Sequence, residues 1–206
     1  SPSTDQMERA MNPGVCVIWP SQAIALNVLT ASSRAFGSPV AAYLNDIAAR
    51  YLITQTSLLD TVESAKKNYS GLEKTWVIGR DFDSLYTAPT DAPPACNPDD
   101  TMLILYTSGT SGRPKGAMLS HNNLTSNALA SVEALELKES DRFLVILPLF
   151  HSFAWTTNVM VPFAVGAVIV LVESIRPPKP WLKLMFEQNI TCFSAVPQIY
   201  AVIANQ

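Results

Sequence analysis

Cysteine and positive charge are both scarce in this chain of 206 residues, and each shortage argues against a class of protein. The three cysteines, Cys16, Cys96 and Cys192, are far apart and form no Cys-x-x-Cys pair, which argues against a disulfide framework or a zinc site. Lys and Arg number 14 against 17 Asp and Glu, so no basic excess draws the chain to DNA, RNA or acidic lipid. These shortages predict a cytoplasmic protein that does not bind nucleic acid.

Two further absences concern membranes. The polar stretch 1–14 contains no secretory signal and no initiator Met, which predicts a processed chain or a piece of a longer one. Residues 143–172 contain no Asp, Glu, Lys or Arg, and a run of that length could cross a bilayer. Interruptions such as Pro148, His151 and Pro162 favour a buried strand, helix and strand at 143–147, 153–165 and 167–172. A transmembrane segment is the less favoured alternative, and peripheral attachment to a membrane stays open.

What the chain has in abundance is apolar residues, at 48% of the sequence against 15% charged, which predicts a large buried core. Apolar runs typical of strands alternate with segments of helical spacing, and this alternation predicts an α/β fold of β-α-β units. We expect largely parallel sheets with helices on both faces. The other predicted strands are 15–19, 50–54, 75–79 and 102–107, and the other predicted helices are 22–34, 57–68, 122–137, 178–189 and 197–205.

The proline-rich stretch 81–100 divides the chain. Its composition is typical of a loop or linker without a core of its own. We therefore predict one α/β portion over 1–80 and a second over 101–206.

One short segment, LYTSGTSGRPKG (105–116), combines glycines, hydroxyl side chains and a lysine directly after a predicted strand. Glycines allow a tight turn whose backbone N–H groups can approach an anion, and such consecutive N–H groups form a concave anion site. The segment is neither a Walker A loop, which requires Gly-Lys-[Ser/Thr], nor a dinucleotide fingerprint, which requires Gly-x-Gly-x-x-Gly. Composition alone is also typical of a flexible linker.

The whole string, with its continuation AMLSHNNL (117–124), resembles the glycine-rich signature of the adenylate-forming superfamily, which includes acyl-CoA synthetases. The resemblance implies that the chain is part of the large N-terminal domain of an acyl-CoA synthetase-like protein. It also implies that Thr107 helps to hold Mg²⁺ and that Lys115 acts in catalysis. The residues that it implies contact the phosphates of ATP are Thr107, Ser108, Gly109, Thr110, Ser111, Gly112 and Lys115.

Two later stretches resemble segments of the same superfamily that contact the carboxylate substrate. LPLFHSFAW (147–155) resembles its Pro-[Leu/Met]-Phe-His segment, which implies that His151 lies beside the carboxylate and that Trp155 gates the acyl pocket. ITCFSAVPQIYAVIAN (190–205) resembles a strand and helix that help to wall that pocket, which implicates Val196 and Pro197. Without the resemblance, the favoured interpretation of His151 is a core histidine satisfied by backbone groups. For Trp155, a buried aromatic without a gating role is an equal alternative.

The implied reaction is ATP-dependent activation of a carboxylic acid, by preference a fatty acid, followed by thioester formation with coenzyme A. The family's adenine-binding, ribose-binding and magnesium-binding segments and its mobile C-terminal domain would follow residue 206, so we expect this fragment by itself to be inactive. Ser174 stands where coenzyme-A ligases often carry a basic residue. It leaves open an acyl-AMP ligase that loads a carrier protein, and a truncated, non-catalytic acyl-binding relative is a further alternative.

Overall fold

The computed structural model describes residues 15–19, 22–26, 40–87, 96–107, 115–149 and 151–205. They fall into two compact units, Ser1–His121 and Asn122–Gln206. The units therefore divide after the glycine-rich segment, whereas the composition places the division at 81–100. The linker character of 81–100 stays a prediction, because residues 88–95 lie outside the described ranges.

The first unit is built on a six-stranded sheet in the order β4-β3-β2-β1-β5-β6. Two helices, α1 and α2, precede β3 and β4 along the chain, and short 3₁₀ turns lie at Thr56–Leu58 and Phe82–Thr87. The strands are β1 Val15–Trp19, β2 Gln22–Leu26, β3 Tyr51–Gln55, β4 Lys74–Ile78, β5 Thr101–Thr107 and β6 Lys115–Ser120, and the helices are α1 Val40–Asp46 and α2 Leu59–Lys66.

This first sheet is mixed, which differs from the largely parallel arrangement expected. β2–β3 and β3–β4 are parallel, but β1–β2, β1–β5 and β5–β6 are antiparallel. Parallel strands need a crossover of a dozen or more residues. Only Pro20 and Ser21 separate β1 from β2, and only residues 108–114 separate β5 from β6, so both pairs are limited to hairpins.

The helix predicted at 22–34 is wrong over its first residues, because Gln22–Leu26 is strand β2. This strand pairs with β1 on one side and with β3 on the other. A short apolar run cannot be assigned to helix or strand by spacing alone. Pairing along both edges satisfies its backbone groups in the strand conformation. Residues 27–34 lie outside the described ranges.

One face of the first sheet packs against both helices. Alternate side chains of a strand point to the same face, and Leu52 of β3 and Ile104 and Tyr106 of β5 join one buried cluster. The helical members of that cluster are Val40, Ala41 and Leu44 of α1 and Val62 and Ala65 of α2. The end of β5 is therefore packed directly beneath α1.

The second unit contains a three-stranded parallel sheet in the order β8-β7-β9. The helix between β7 and β8 is continuous but changes form, because a π-helical turn at Thr156–Met160 joins two short α-helical pieces. The strands are β7 Arg142–Val145, β8 Val168–Leu171 and β9 Cys192–Phe193, and the helices are α3 His121–Ala134, α4 Ser152–Trp155, α5 Val161–Val165, α6 Pro178–Glu187 and α7 Pro197–Ala204.

Helices cover both faces of this second sheet, as the α/β prediction expects. Phe143 of β7 packs with Ala128 of α3 and Val161 of α5 on one face. The next residue, Leu144, packs on the other face with Trp181 of α6 and Ile199 of α7. The uncharged run 143–172 is thus strand, helix and strand. Among the described residues, no helix has the length and apolar character needed to cross a membrane.

Candidate active site

The glycine-rich segment closes the hairpin between β5 and β6. Thr107, the last residue of β5, is directly opposite Lys115, the first residue of β6. The two predicted phosphate-binding residues at the ends of the segment are thereby held across one pair of strands. The predicted contacts Ser108, Gly109, Thr110, Ser111 and Gly112, and the side chain of Thr107, lie outside the described residues.

Beneath this hairpin, Tyr106 links the loop to α1. Its side chain is buried, and its hydroxyl donates a hydrogen bond to the carboxylate of Asp46, the last residue of α1. The ring of Tyr43, three residues earlier on α1, meets the Tyr106 ring edge-on, with centroids 4.6 Å apart at 71°. Tyr106 therefore contacts two residues of one helix.

Gly116 makes room for the Tyr106 ring on the partner strand. Gly116 is opposite Tyr106 in the strand register. A Cβ atom at residue 116 would lie 2.9 Å from Ile104 Cγ2 and 3.2 Å from Tyr106 Cε1. Any larger residue would displace the ring or separate the strands. The glycine after Lys115 thus has a packing reason that is separate from phosphate binding.

The predicted magnesium contact of Thr107 can be set against the acidic and metal-binding side chains that the structure describes. No group of three or more His, Cys, Asp or Glu side chains is placed to hold a metal within the described ranges. Mg²⁺ takes six oxygen ligands and is usually held by one or two carboxylates, water and substrate phosphates. The hydroxyl of Thr107 could supply one oxygen at most, so the predicted metal contact stays a prediction.

In the second unit, His151 directly precedes helix α4. Its backbone carbonyl accepts a hydrogen bond from the Trp155 N–H at 2.8 Å, and its own N–H donates to the carbonyl of Pro148 at 3.2 Å. The side chain is half-buried, and this burial lowers its pKa below the ordinary value of 6.5. The imidazole is therefore neutral near pH 7 and can accept as well as donate a hydrogen bond.

Two polar groups along the helix after His151 are buried without a hydrogen-bond partner in the described part of the chain. They are the indole Nε1 of Trp155 and both amide atoms of Asn158, a residue with no exposed surface. Asn158 lies inside the π-helical turn, a form frequently found at functional sites. Within the described part of the chain, groups with unmet hydrogen-bonding capacity therefore include two that lie one to two turns beyond the histidine.

Val196 and Pro197, the other predicted substrate contacts, are exposed at the start of α7. Pro197 occupies the first turn, where a missing N–H costs nothing. The Val196 carbonyl accepts from the N–H groups of Ile199 and Tyr200. The second unit thus contains His151, Trp155, Val196 and Pro197, while Thr107 and Lys115 belong to the first.

Sequence reasoning assigned no role to Asp46, Tyr106 or Asn158. A polar residue inside an uncharged apolar run could have singled out Asn158. Tyr106 lies within the quoted motif, but its burial depends on a helix sixty residues earlier in the chain. No pattern in the sequence points to Asp46.

Comparison with known proteins decides the family, because the AMP-binding enzyme family matches residues 23–206. The chain belongs to the AMP-binding enzyme family. This confirms the resemblance to the adenylate-forming superfamily and, with the structural neighbours, the α/β fold class.

The curated relatives of this AMP-binding chain are acid–CoA ligases with different acids in their names. A feruloyl-CoA synthase from Amycolatopsis is 36% identical over 124 residues, which are 60% of this chain and 25% of that protein. The long-chain-fatty-acid–CoA ligase FadD13 of Mycobacterium tuberculosis is 28% identical over 190 residues, 89% of this chain and 37% of that protein. The chain thus spans well under half the length of either relative.

Among solved structures, the anthranilate CoA ligase AuaEII in complex with anthranoyl-AMP superposes with a TM-score of 0.73 at 30% identity. The match covers 87% of this chain and 35% of that one. The anthranoyl-AMP bound to that neighbour is an acyl-adenylate.

Proposed function

We propose that the protein containing this chain uses ATP to activate a carboxylic acid as an acyl-adenylate and then forms a thioester with coenzyme A. The hairpin that joins Thr107 to Lys115 carries this proposal. It brings a basic residue and the ends of a loop of glycines and hydroxyls together directly after a buried strand. Such a loop can present several N–H and O–H donors to a polyphosphate.

In the first step, an oxygen of the carboxylate attacks the α-phosphorus of ATP, and the bond to the bridging oxygen of the β-phosphate breaks. Negative charge then develops on the departing pyrophosphate. We assign its stabilisation to Thr107, Ser108, Gly109, Thr110, Ser111, Gly112 and Lys115. No general base is needed for this step, because the carboxylate is already ionised near pH 7. In the second step, the thiol sulfur of coenzyme A attacks the acyl carbonyl carbon, the bond from that carbon to the phosphate oxygen of AMP breaks, and the thiol proton is released to water.

We assign recognition of the carboxylic acid to the second unit, with His151 beside the carboxyl group and Trp155, Val196 and Pro197 along the acyl part. The lowered pKa of His151 supports this role, since a neutral imidazole can donate a hydrogen bond without holding the anion too tightly for transfer. We favour a fatty acid, because the segment that carries His151 is uncharged and mostly apolar over 143–172.

Transfer of the acyl group to a carrier-protein thiol is the second candidate, because Ser174 stands where coenzyme-A ligases often carry a basic residue. The hydroxyl of Ser174 donates to the Arg176 carbonyl at 2.8 Å and accepts from the Arg176 N–H at 3.2 Å. Ser174 is thus engaged in its own turn and supplies no positive charge for a nucleotide phosphate of coenzyme A.

The test is carboxylate-dependent exchange of labelled pyrophosphate into ATP by the protein as its gene encodes it. Palmitate, octanoate, ferulate and benzoate would be compared, followed by thioester analysis with coenzyme A or with a phosphopantetheinylated carrier protein. We expect the strongest exchange with a fatty acid and a coenzyme A product. Exchange with none of the acids would contradict adenylation, and exchange with the aromatic acids alone would contradict the fatty substrate.

A further inference from the structure

We propose that Asp46 is a positioning residue for Thr107 and Lys115, the two ends of the glycine-rich segment, and that it acts through the hydroxyl of Tyr106. The catalytic side of this inference rests on the function proposed above, because it assumes that the loop holds phosphate. Asp46 itself lies sixty residues before the loop and is assigned no contact with substrate. Its effect would pass through one hydrogen bond.

Tyr106 is adjacent to both ends of the loop, so a movement of its side chain would displace both. It directly precedes Thr107, the first end, and its ring packs over Gly116, which directly follows Lys115 at the second end. A rotation of this ring would therefore shift both strands one residue from where the loop begins and ends. Closely packed interiors transmit such strain because they have little free volume.

Helix α1 holds the ring at two points. Tyr43 and Asp46 are three residues apart, a spacing that puts two side chains on one helix face. Tyr43 fixes the ring by an edge-on contact, and Asp46 fixes the hydroxyl by accepting its hydrogen bond. One helix thus fixes both the ring of Tyr106 and its hydroxyl group.

The location of Asp46 is electrostatically unfavourable without the hydrogen bond from Tyr106. It is the last residue of α1, and a negative charge at the C-terminus of a helix opposes the helix dipole. A hydrogen bond from a buried phenol to a carboxylate is of the stronger, charge-assisted kind. The bond offsets part of the cost of this location, although Asp46 itself is exposed to solvent.

The experiment compares Tyr106→Phe, Asp46→Ala, Asp46→Asn and the double variant Tyr106→Phe/Asp46→Ala in the protein as its gene encodes it. Tyr69→Phe is the matched control, because the Tyr69 hydroxyl donates to the Ala49 carbonyl at 2.6 Å in the same unit. Pyrophosphate exchange gives the KM values for ATP and for the carboxylic acid. Hydrogen–deuterium exchange gives the exchange rates of the β5 and β6 amides.

We expect Tyr106→Phe and Asp46→Ala each to raise the KM for ATP roughly tenfold, the size of one lost hydrogen bond to a charged group. The KM for the acid should stay unchanged, and the β5 and β6 amides should exchange faster. Asp46→Asn keeps an acceptor oxygen and should remain close to the unaltered protein. The double variant should be no worse than either single change, because both remove the same bond.

Equal effects of Tyr106→Phe and Tyr69→Phe on the KM for ATP would overturn the positioning role, as would fully additive effects in the double variant. A protein without any carboxylate-dependent exchange would instead refute the proposed function. In that event the β5 and β6 amides still decide the structural claim. It is overturned if Asp46→Ala leaves their exchange unchanged and supported if their exchange accelerates.

Discussion

The stem of the glycine-rich loop and the helix after His151 both carry predicted site residues, but they treat buried polar groups in opposite ways. At the stem, the buried Tyr106 hydroxyl is bonded to Asp46. Along the helix, the indole Nε1 of Trp155 and the amide of Asn158 are buried without a partner in the described part of the chain. A paired group fixes geometry, whereas an unpaired one costs free energy and rigidifies nothing. The comparison indicates a stem built to hold a fixed position and a helix whose polar groups are still unsatisfied.

The largest effect should follow from removing the charge at the loop. Lys115→Ala should lower carboxylate-dependent pyrophosphate exchange by a factor of about 100 or more, because a preorganised charge on the leaving group is lost. Lys183→Ala is the control, since Lys183 forms an exposed ion pair with Glu187 at 3.0 Å on α6. Unchanged exchange in Lys115→Ala would remove the phosphate role from the loop.

His151→Ala should affect the binding of the carboxylic acid more than the binding of ATP. We expect the KM for the carboxylic acid to rise about tenfold, the size of one lost contact, with a smaller change for ATP. Steady-state pyrophosphate exchange at varied acid and varied ATP measures both constants. If both rise equally, the histidine does not distinguish the acid from the nucleotide, and the division of roles between the two regions is wrong.

Asn158→Leu tests the buried side-chain amide that has no hydrogen-bond partner in the described part of the chain. Replacing a buried amide that lacks partners by an apolar group of similar size should raise the free energy of unfolding by about 1 kcal/mol. The control, Asn127→Leu, changes an exposed position on α3 and should stay within about 0.5 kcal/mol. Urea unfolding followed by tryptophan fluorescence measures both. A loss of stability in Asn158→Leu would mean that the amide is satisfied in solution and that the two regions are alike.

The smallest effect concerns pH. Burial lowers the pKa of His151, so the unfolded chain binds a proton at this position more readily than the folded chain does. The stability that depends on a neutral His151 is complete above pH 6.5 and is lost as the pH falls from 6.5 through the lower folded value. His151→Gln should flatten this slope in urea unfolding at a series of pH values. The carboxylates with lowered pKa values, Glu73, Asp81 and Asp141, contribute only below pH 4.5 or 3.8, their ordinary values, so the slope just below pH 6.5 is free of them. An identical slope in the variant would contradict the burial of the imidazole.

Pattern and spacing predicted most elements correctly and failed where pairing decided the outcome. The strand and helix boundaries around 50–66 and 178–204 agree with the structure to within a few residues. The prediction of helix for Gln22–Leu26 is wrong, because the spacing of its apolar residues does not distinguish helix from strand. Pairing with β1 and β3 in the sheet decides for the strand. For the candidate site, the motif predicts roles for Thr107 and Lys115, which stay predictions, and it contains no sign of Asp46.

By itself, the sequence determined the family, because glycines, hydroxyls and a lysine in the order found at 105–116 are a local pattern that needs no partner elsewhere. It also determined the alternation of strands and helices, which follows from local spacing. Only the tertiary structure decided that the first sheet is mixed, that Tyr106 is bonded to a helix sixty residues away and that the buried Asn158 has no hydrogen-bond partner among the described residues. These features depend on contacts between residues far apart in the chain, and a local pattern contains no information about which distant groups will meet.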